Sequence, residues 1–191
     1  FTVSPSVLIP RPESEDLISL FLELTASEIA EKVLIDVGTG SGCLGITAKL
    51  ERSNLSVILS DINKPALNIA EKNANALSAD VHIQQQSLLN GQLKPVDYIF
   101  ANLPYVDKNW DVSPELQYEP DIALFAEDEG LKLILQLISQ APRCLTPEGL
   151  LFIEADPQQH NRIIDEAVKN GFVKERVLNY ILVLRFTGAK D

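Results

Sequence analysis

Short apolar runs alternate with helix-length periodic stretches along this chain, the pattern of an α/β fold. Val33-Leu34-Ile35-Asp36-Val37 reads as a strand ending at a glycine loop, with Cys43 to Leu50 as the helix after it. Val57 to Ser60 is a second strand. Lys64 to Leu77 follows as a helix, with Pro65 tolerated in its first turn and Ala66, Ile69, Ala70 and Asn73 on one face. Val81 to Gln85 and Val96 to Ala101 read as the next two strands. Gly130 to Ala141 has helical periodicity through Leu131, Ile134, Leu135 and Ile138. Leu150 to Glu154 is a fifth strand, Gln158 to Lys169 a helix, and Phe172-Val173 and Tyr180 to Phe186 are the last strands. The pattern predicts a seven-stranded, mostly parallel sheet with helices on both faces. No helix separates the last two strands, so they form a hairpin with one antiparallel strand.

Two regions stand outside the alternation. Residues 1–12 are irregular, with Pro5, Pro10 and Pro12, before a helix from Glu13 or Ser14 to about Leu24. This segment and helix, residues 1–25, precede a sheet core over 26–191, and the whole reads as a single domain. Val106 to Glu127 is a long acidic, proline-bearing connection, and loops of that length are often functional. Its start beside the end of the fourth strand makes it a candidate for closing over a substrate. Trp110 within it suits either a loop anchor or a partner contact.

Composition narrows the class. With 191 residues, 46% of them hydrophobic, the chain builds one well-cored domain. Its apolar runs are too short to span a bilayer, and no signal-peptide pattern opens it. Cys43 and Cys144 lack metal-ligand spacing, and no metal is expected; a reducing cytoplasm is the simplest setting. The chain starts at Phe1 and contains no methionine, which reads as a fragment of a longer protein. A formal net charge of -11 opposes strong non-specific nucleic-acid binding and suits a basic protein partner.

The loop Asp36-Val37-Gly38-Thr39-Gly40-Ser41-Gly42 sets three alternating glycines between strand and helix. Glycines allow close backbone approach to a ligand, and the helix start presents free N–H groups. Gly40-x-Gly42-x-x-Gly45, with Asp61 beyond it, also satisfies the dinucleotide spacing. Gly45, however, falls inside the helix, and a carboxylate at Asp36 repels a pyrophosphate. It suits a ligand with an ammonium group and a ribose but no phosphate, such as S-adenosyl-L-methionine. Asp61 ends the second strand, where a carboxylate can take both ribose hydroxyls or cap the next helix. Ser87, after the third strand, stands either beside the base or as a turn residue.

Asn102-Leu103-Pro104-Tyr105 follows the apolar run Tyr98 to Ala101. A strand that stops at Asn, with Pro two residues later, makes a short rigid turn at the carboxyl edge of the sheet, where open α/β sheets hold ligands. It offers an amide oxygen, a backbone carbonyl and an aromatic face, a set suited to holding an –NH2 group before an electrophile. An ordinary strand-to-turn ending is the plainer alternative.

Together these segments resemble the HemK/PrmC family of protein-(glutamine N5) methyltransferases. Leu8-Ile9-Pro10-Arg11-Pro12-Glu13-Ser14-Glu15 is similar to the family's Leu-Ile-Pro-Arg-Pro-Glu-Thr-Glu, with Ser for Thr. Asp36 to Gly42 matches its cofactor loop, Asn102 to Tyr105 its Asn-Pro-Pro-Tyr with Leu103 for Pro, and Tyr118-Glu119-Pro120, Ala123-Leu124 and Gly130-Leu131 its following segment. The resemblance implies a Rossmann-like methyltransferase sheet, S-adenosyl-L-methionine as cofactor, and the Gly-Gly-Gln glutamine of class-1 release factors as substrate. It implies catalytic roles for Asn102, Leu103, Pro104 and Tyr105, with Tyr105 against the substrate or sulfonium. It implies cofactor contacts from Asp36, Gly38, Thr39, Gly40, Ser41, Gly42, Asp61, Ser87 and Asn102. Asn-Leu-Pro-Tyr is also the form in rRNA adenine dimethyltransferases, which makes an adenine N6-methyltransferase the alternative enzyme. An inactive cofactor-binding module is the non-enzymatic one. The family's helical amino-terminal domain is absent from this sequence.

Overall fold

A computed structural model describes residues 1–107, 109–110, 124 and 126–188. Its strands are β1 (Lys32–Val37), β2 (Leu55–Asp61), β3 (His82–Gln85), β4 (Val96–Ala101), β5 (Leu145–Glu154), β6 (Phe172–Leu178) and β7 (Ile181–Phe186). They form one sheet in the order β3-β2-β1-β4-β5-β7-β6. β1 pairs in parallel with β2 and β4, β2 with β3, and β4 with β5, while β7 runs antiparallel to both β5 and β6. The strand order reverses direction between β1 and β4, which opens a crevice at their carboxyl ends.

The helices are α1 (Glu15–Leu24), entered through a 3-10 turn over Pro12–Ser14, α2 (Cys43–Glu51), α3 (Lys64–Ala76), α4 (Lys132–Gln140) and α5 (His160–Lys169). Both faces of the sheet are buried, as the near-continuous apolar strands require. On one face Leu17, Leu20 and Phe21 of α1 join Ile46 of α2 and Ala70 of α3 over Leu34, Leu59, Phe100 and Phe152. Phe21 meets Phe100 and Phe152 edge-on, at centroid distances of 5.1 and 5.8 Å. On the other, Ile134, Leu137 and Ile138 of α4 and Ile163 of α5 cover Ile35, Ile99, Leu151 and Ile153.

The expected sheet is the observed one, with β5 and β6 extended most beyond the hydrophobic pattern. β5 begins at Leu145, five residues before Leu150, because it passes through a kink in which Glu148 takes φ +64°. β6 continues through the charged run Lys174-Glu175-Arg176 to Leu178. It is an edge strand paired only with β7, and charge on an edge guards against pairing with other chains. Most of the acidic loop, including Lys108, Tyr118 to Pro120 and Ala123, lies outside the described residues. Its base is closed by backbone bonds from Val106 N–H to the Leu124 carbonyl and from Ala126 N–H to the Val106 carbonyl.

Candidate active site

A cavity of about 240 Å³ opens at the β1/β4 switch point. Gly38 and Gly40 form one wall, Asp61 and Asn63 a second, Gln86 to Leu88 a third, and Asn102 to Pro104 the fourth. Each wall is the residue or loop at the carboxyl end of a different parallel strand, so sequence-distant segments meet because the strands run together. Of the expected cofactor residues, the fold brings Gly38, Gly40, Asp61, Ser87 and Asn102 to this cavity. Leu103 and Pro104 join them.

Asp36, Thr39, Ser41 and Gly42 are placed differently. Asp36 is 2% exposed, and its Oδ2 accepts both the Thr39 hydroxyl at 2.6 Å and the Gly45 N–H at 3.0 Å. Oδ2 ties the glycine loop to the start of α2 from beneath. Burial pushes the Asp36 carboxyl up to about 6, against the two hydrogen bonds that favour its charged form. Gly45 is glycine for close approach, since a Cβ there would stand 2.3 Å from Leu59 Cδ2 and 3.1 Å from Asp36 Oδ2. The third glycine of the dinucleotide spacing is thus a helix-to-sheet contact. Ser41, also buried, gives its carbonyl to the Asn73 amide at 2.9 Å. Gly42 is the N-cap of α2, outside the cavity wall.

Asp61 bridges the segment before α3 and the glycine loop, while the N-cap position of α3 is taken by Asn63. Its Oδ1 accepts the Asn63 N–H at 2.8 Å beside the start of α3, and its Oδ2 accepts the Gly40 N–H at 3.0 Å. Each carboxylate oxygen has a second lone pair, so the group can still take hydroxyl donors from the cavity side. Burial raises its pKa above the ordinary carboxylate value. Beyond β3, Ser87 is accompanied by Gln86, whose carboxamide nitrogen donates to the Leu88 carbonyl at 2.9 Å. Gln86 shapes the cavity alongside Ser87 and is an addition to the expected set.

The Asn102 turn is braced from behind by Ser14 and Tyr105, from segments already noted in the sequence, and by Glu154 and Gln159, to which the sequence patterns gave no role. Glu154, at the end of β5, is 1% exposed. Its Oε2 accepts the Ser14 hydroxyl at 2.6 Å, and Ser14 Oγ in turn accepts Asn102 Nδ2 at 3.1 Å. The Tyr105 hydroxyl donates to Glu154 Oε1 at 3.3 Å, and burial beside that carboxylate raises the phenol pKa well above its usual range. Tyr105 is partly buried, and its hydroxyl makes it a brace for the turn. Gln159 holds the other side: its Nε2 donates to the carbonyls of Tyr105 at 2.8 Å and Glu129 at 2.9 Å, while its Oε1 accepts the Asp156 N–H. Leu103 is 5% exposed, and its side chain packs over Gly38. Where the family has proline, this leucine links the two halves of the crevice by apolar contact.

The comparisons with known proteins agree with this architecture. The family model described as "Methyltransferase small domain" matches residues 15–117, more than half of the chain. The release factor glutamine methyltransferase of Lactococcus lactis is 37% identical over 160 residues, covering 82% of this chain and 58% of that protein. The enzyme of the same name in Bacteroides thetaiotaomicron is 33% identical over 195 residues, covering 93% of this chain and 69% of its own. The chain spans about three fifths of the length of the curated relatives it matches. Among solved structures, the ribosomal protein L11 methylase of Lactobacillus delbrueckii subsp. bulgaricus superposes with a TM-score of 0.68 at 24% identity over 93% of this chain and 81% of that one, a likeness of fold. The chain belongs to the methyltransferase small domain family and, with it, to the family of the release factor glutamine methyltransferases.

Proposed function

We propose that this chain is the catalytic part of an S-adenosyl-L-methionine-dependent methyltransferase that acts on the glutamine side-chain amide of the Gly-Gly-Gln motif in class-1 peptide release factors. The observation that carries the reading is one cavity bounded by the Gly38–Gly40 loop, the Asp61 carboxylate and the Asn102 carboxamide. The walls fit the cofactor. Asp61 retains acceptor capacity for a ribose diol, Ile62 and Leu88 offer apolar surface for a base, and the glycines permit close approach to the rest. Bound there, the cofactor supplies an electrophilic methyl group on its sulfonium sulfur.

The residues of the turn then do the positioning. An amide nitrogen is a weak nucleophile because its lone pair is delocalised into the carbonyl. Asn102 Oδ1 and the Leu103 carbonyl accept the two amide hydrogens, which orient the nitrogen and favour the positive charge that develops on it. As the amide nitrogen takes the methyl group, whose bond to sulfur breaks with the electron pair staying on the sulfur, the nitrogen becomes acidic and its surplus proton leaves to water without a strong base. Pro104, Leu103 over Gly38, and the Tyr105–Glu154 contact keep the turn rigid while this happens.

The net charge of -11 suits a basic protein surface better than RNA. No helix among the described residues is long and apolar enough to cross a membrane, and we place the reaction in the cytoplasm, where release factors act. Radiolabelled methyl transfer tests the reading. The label enters purified release factor and not ribosomal RNA; label in RNA adenine, the outcome favoured by the Asn-Leu-Pro-Tyr form, refutes it.

A further inference from the structure

A carboxamide in a site is ambiguous, because its oxygen and nitrogen ends have nearly the same shape and opposite hydrogen-bonding character. Asn102 can accept hydrogens from a substrate –NH2 only if its oxygen faces that group. What faces away from the cavity therefore decides whether the turn works. Behind Asn102 stands Ser14, 5% exposed, and behind Ser14 stands Glu154, 1% exposed. An ionised carboxylate accepts only, so the Ser14 hydroxyl must spend its one hydrogen on Glu154 Oε2, at 2.6 Å. Ser14 Oγ is then left as an acceptor, and the Asn102 group facing it at 3.1 Å must be the nitrogen.

We propose that Ser14 and Glu154 are positioning residues whose directional relay, from Asn102 Nδ2 to Ser14 Oγ to Glu154, holds the Asn102 oxygen toward the substrate. The proposal rests on the methyltransferase reading for its effect on turnover, but the geometry stands without it. Ser14 comes from the 3-10 turn before α1, Asn102 from the end of β4 and Glu154 from the end of β5. Three segments far apart in sequence thus converge on one amide. The same relay gives the amino-terminal Pro12–Ser14 turn a purpose beyond starting a helix. Glu154 is also faced by the Asn102 carboxamide itself, by Tyr105, by Glu13 on that turn, and more distantly by Cys43; burial raises its pKa from the usual carboxylate value, against the hydrogen bonds from Ser14, Tyr105 and Asn102. If Glu154 takes up a proton it can donate to Ser14, which frees the Ser14 hydrogen for Asn102 and lets the carboxamide turn over.

Two readouts separate the relay from simple structural support. In nitrogen-15 NMR of the wild type, the Asn102 side-chain NH2 shows one hydrogen shifted and protected by Ser14. Ser14→Ala abolishes that asymmetry, and Ser14→Thr, which keeps the hydroxyl and matches the family residue, restores it. An Asn102 NH2 signal that is the same in wild type and Ser14→Ala overturns the relay, whether or not the wild type methylates release factor. In steady-state assays with release factor, Ser14→Ala lowers kcat about tenfold to a hundredfold, with melting temperature and cofactor affinity near wild type, and Ser14→Thr recovers most of it. Equal kcat for wild type and Ser14→Ala, or a Ser14→Thr as slow as the alanine variant, contradicts the proposal. Should Ser14→Ala fail to fold, Glu154→Gln decides, because a Gln cannot take up the proton: the acidic limb of the wild-type kcat–pH profile disappears, and an unchanged limb overturns the relay. A wild type inert toward release factor, with the NMR asymmetry intact, refutes the methyltransferase reading and leaves the relay standing.

Discussion

Gly130→Ala puts the bracing of the Asn102 turn to a quantitative test from a distant position in sequence. Gly130 closes the turn before α4 with φ +81°, a left-handed backbone that costs an L-residue about 1–2 kcal/mol. A Cβ there would stand 2.0 Å from the Tyr105 carbonyl oxygen, 2.6 Å from its carbon and 2.7 Å from Gln159 Nε2. Two of those atoms are backbone, so the Tyr105 carbonyl must move and its 2.8 Å bond from Gln159 must stretch or break. Leaving that buried donor poorly satisfied adds about 1–3 kcal/mol, for a combined loss of roughly 2–5 kcal/mol. Urea unfolding of the variant against wild type reads the stability change. Because the displaced carbonyl belongs to the residue after Pro104, kcat also falls by more than about tenfold. Gly91→Ala is the control: it has φ +94° with nothing within 4 Å, so it carries backbone strain alone and leaves kcat unchanged. If Gly130→Ala is no less stable than Gly91→Ala and equally active, the contact between Gly130 and the turn is not what the geometry says.

Three further outcomes follow from the site. Asn102→Ala lowers kcat about 10²–10³-fold while cofactor affinity changes little, and normal turnover on release factor would refute the positioning mechanism. Asp61→Ala weakens S-adenosyl-L-methionine binding about tenfold to a hundredfold by titration calorimetry, the scale of a charge-assisted hydrogen bond, and an unchanged Kd removes Asp61 from the ligand. Asp36, pushed up from 3.8 to about 6, binds its proton more tightly in the folded chain than in the unfolded one. Its contribution therefore favours folding at pH below about 4 and is lost as pH rises through about 6. Over that window wild type loses roughly 3 kcal/mol relative to Asp36→Asn at about 1.4 kcal/mol per unit, and parallel stability–pH curves for the two proteins contradict this.

The sheet was legible because its strands are short apolar runs cut off by turn residues, and the parallel order follows from the helices between them. The glycine loop and the Asn102 turn were legible because Gly and Pro mark backbone geometry directly. What the pattern could not reveal is which polar atoms face the ligand and which face the core. Asp36 stands out by its position before the glycine loop, but nothing in the sequence says that its Oδ2 is committed to Thr39 and Gly45. Tyr105 stands out in the sequence for its aromatic ring, but nothing there says that its hydroxyl goes to Glu154. Glu154 did leave a signal, since a carboxylate closing the apolar run Leu150 to Ile153 must find buried partners. Naming Ser14 as that partner required the tertiary fold, because 140 positions separate the two residues. Gln159 gave no signal at all, as a glutamine at the start of a helix is ordinary on any surface.

The central claim is that this crevice delivers a methyl group to a glutamine amide. Purified release factor incubated with the protein and S-adenosyl-L-methionine, then digested and sequenced by mass spectrometry, tests it most directly. The account predicts one added methyl group on the side-chain nitrogen of the Gly-Gly-Gln glutamine, and none when Asn102 is replaced by alanine. A methyl group on another residue, or in ribosomal RNA instead, would contradict it.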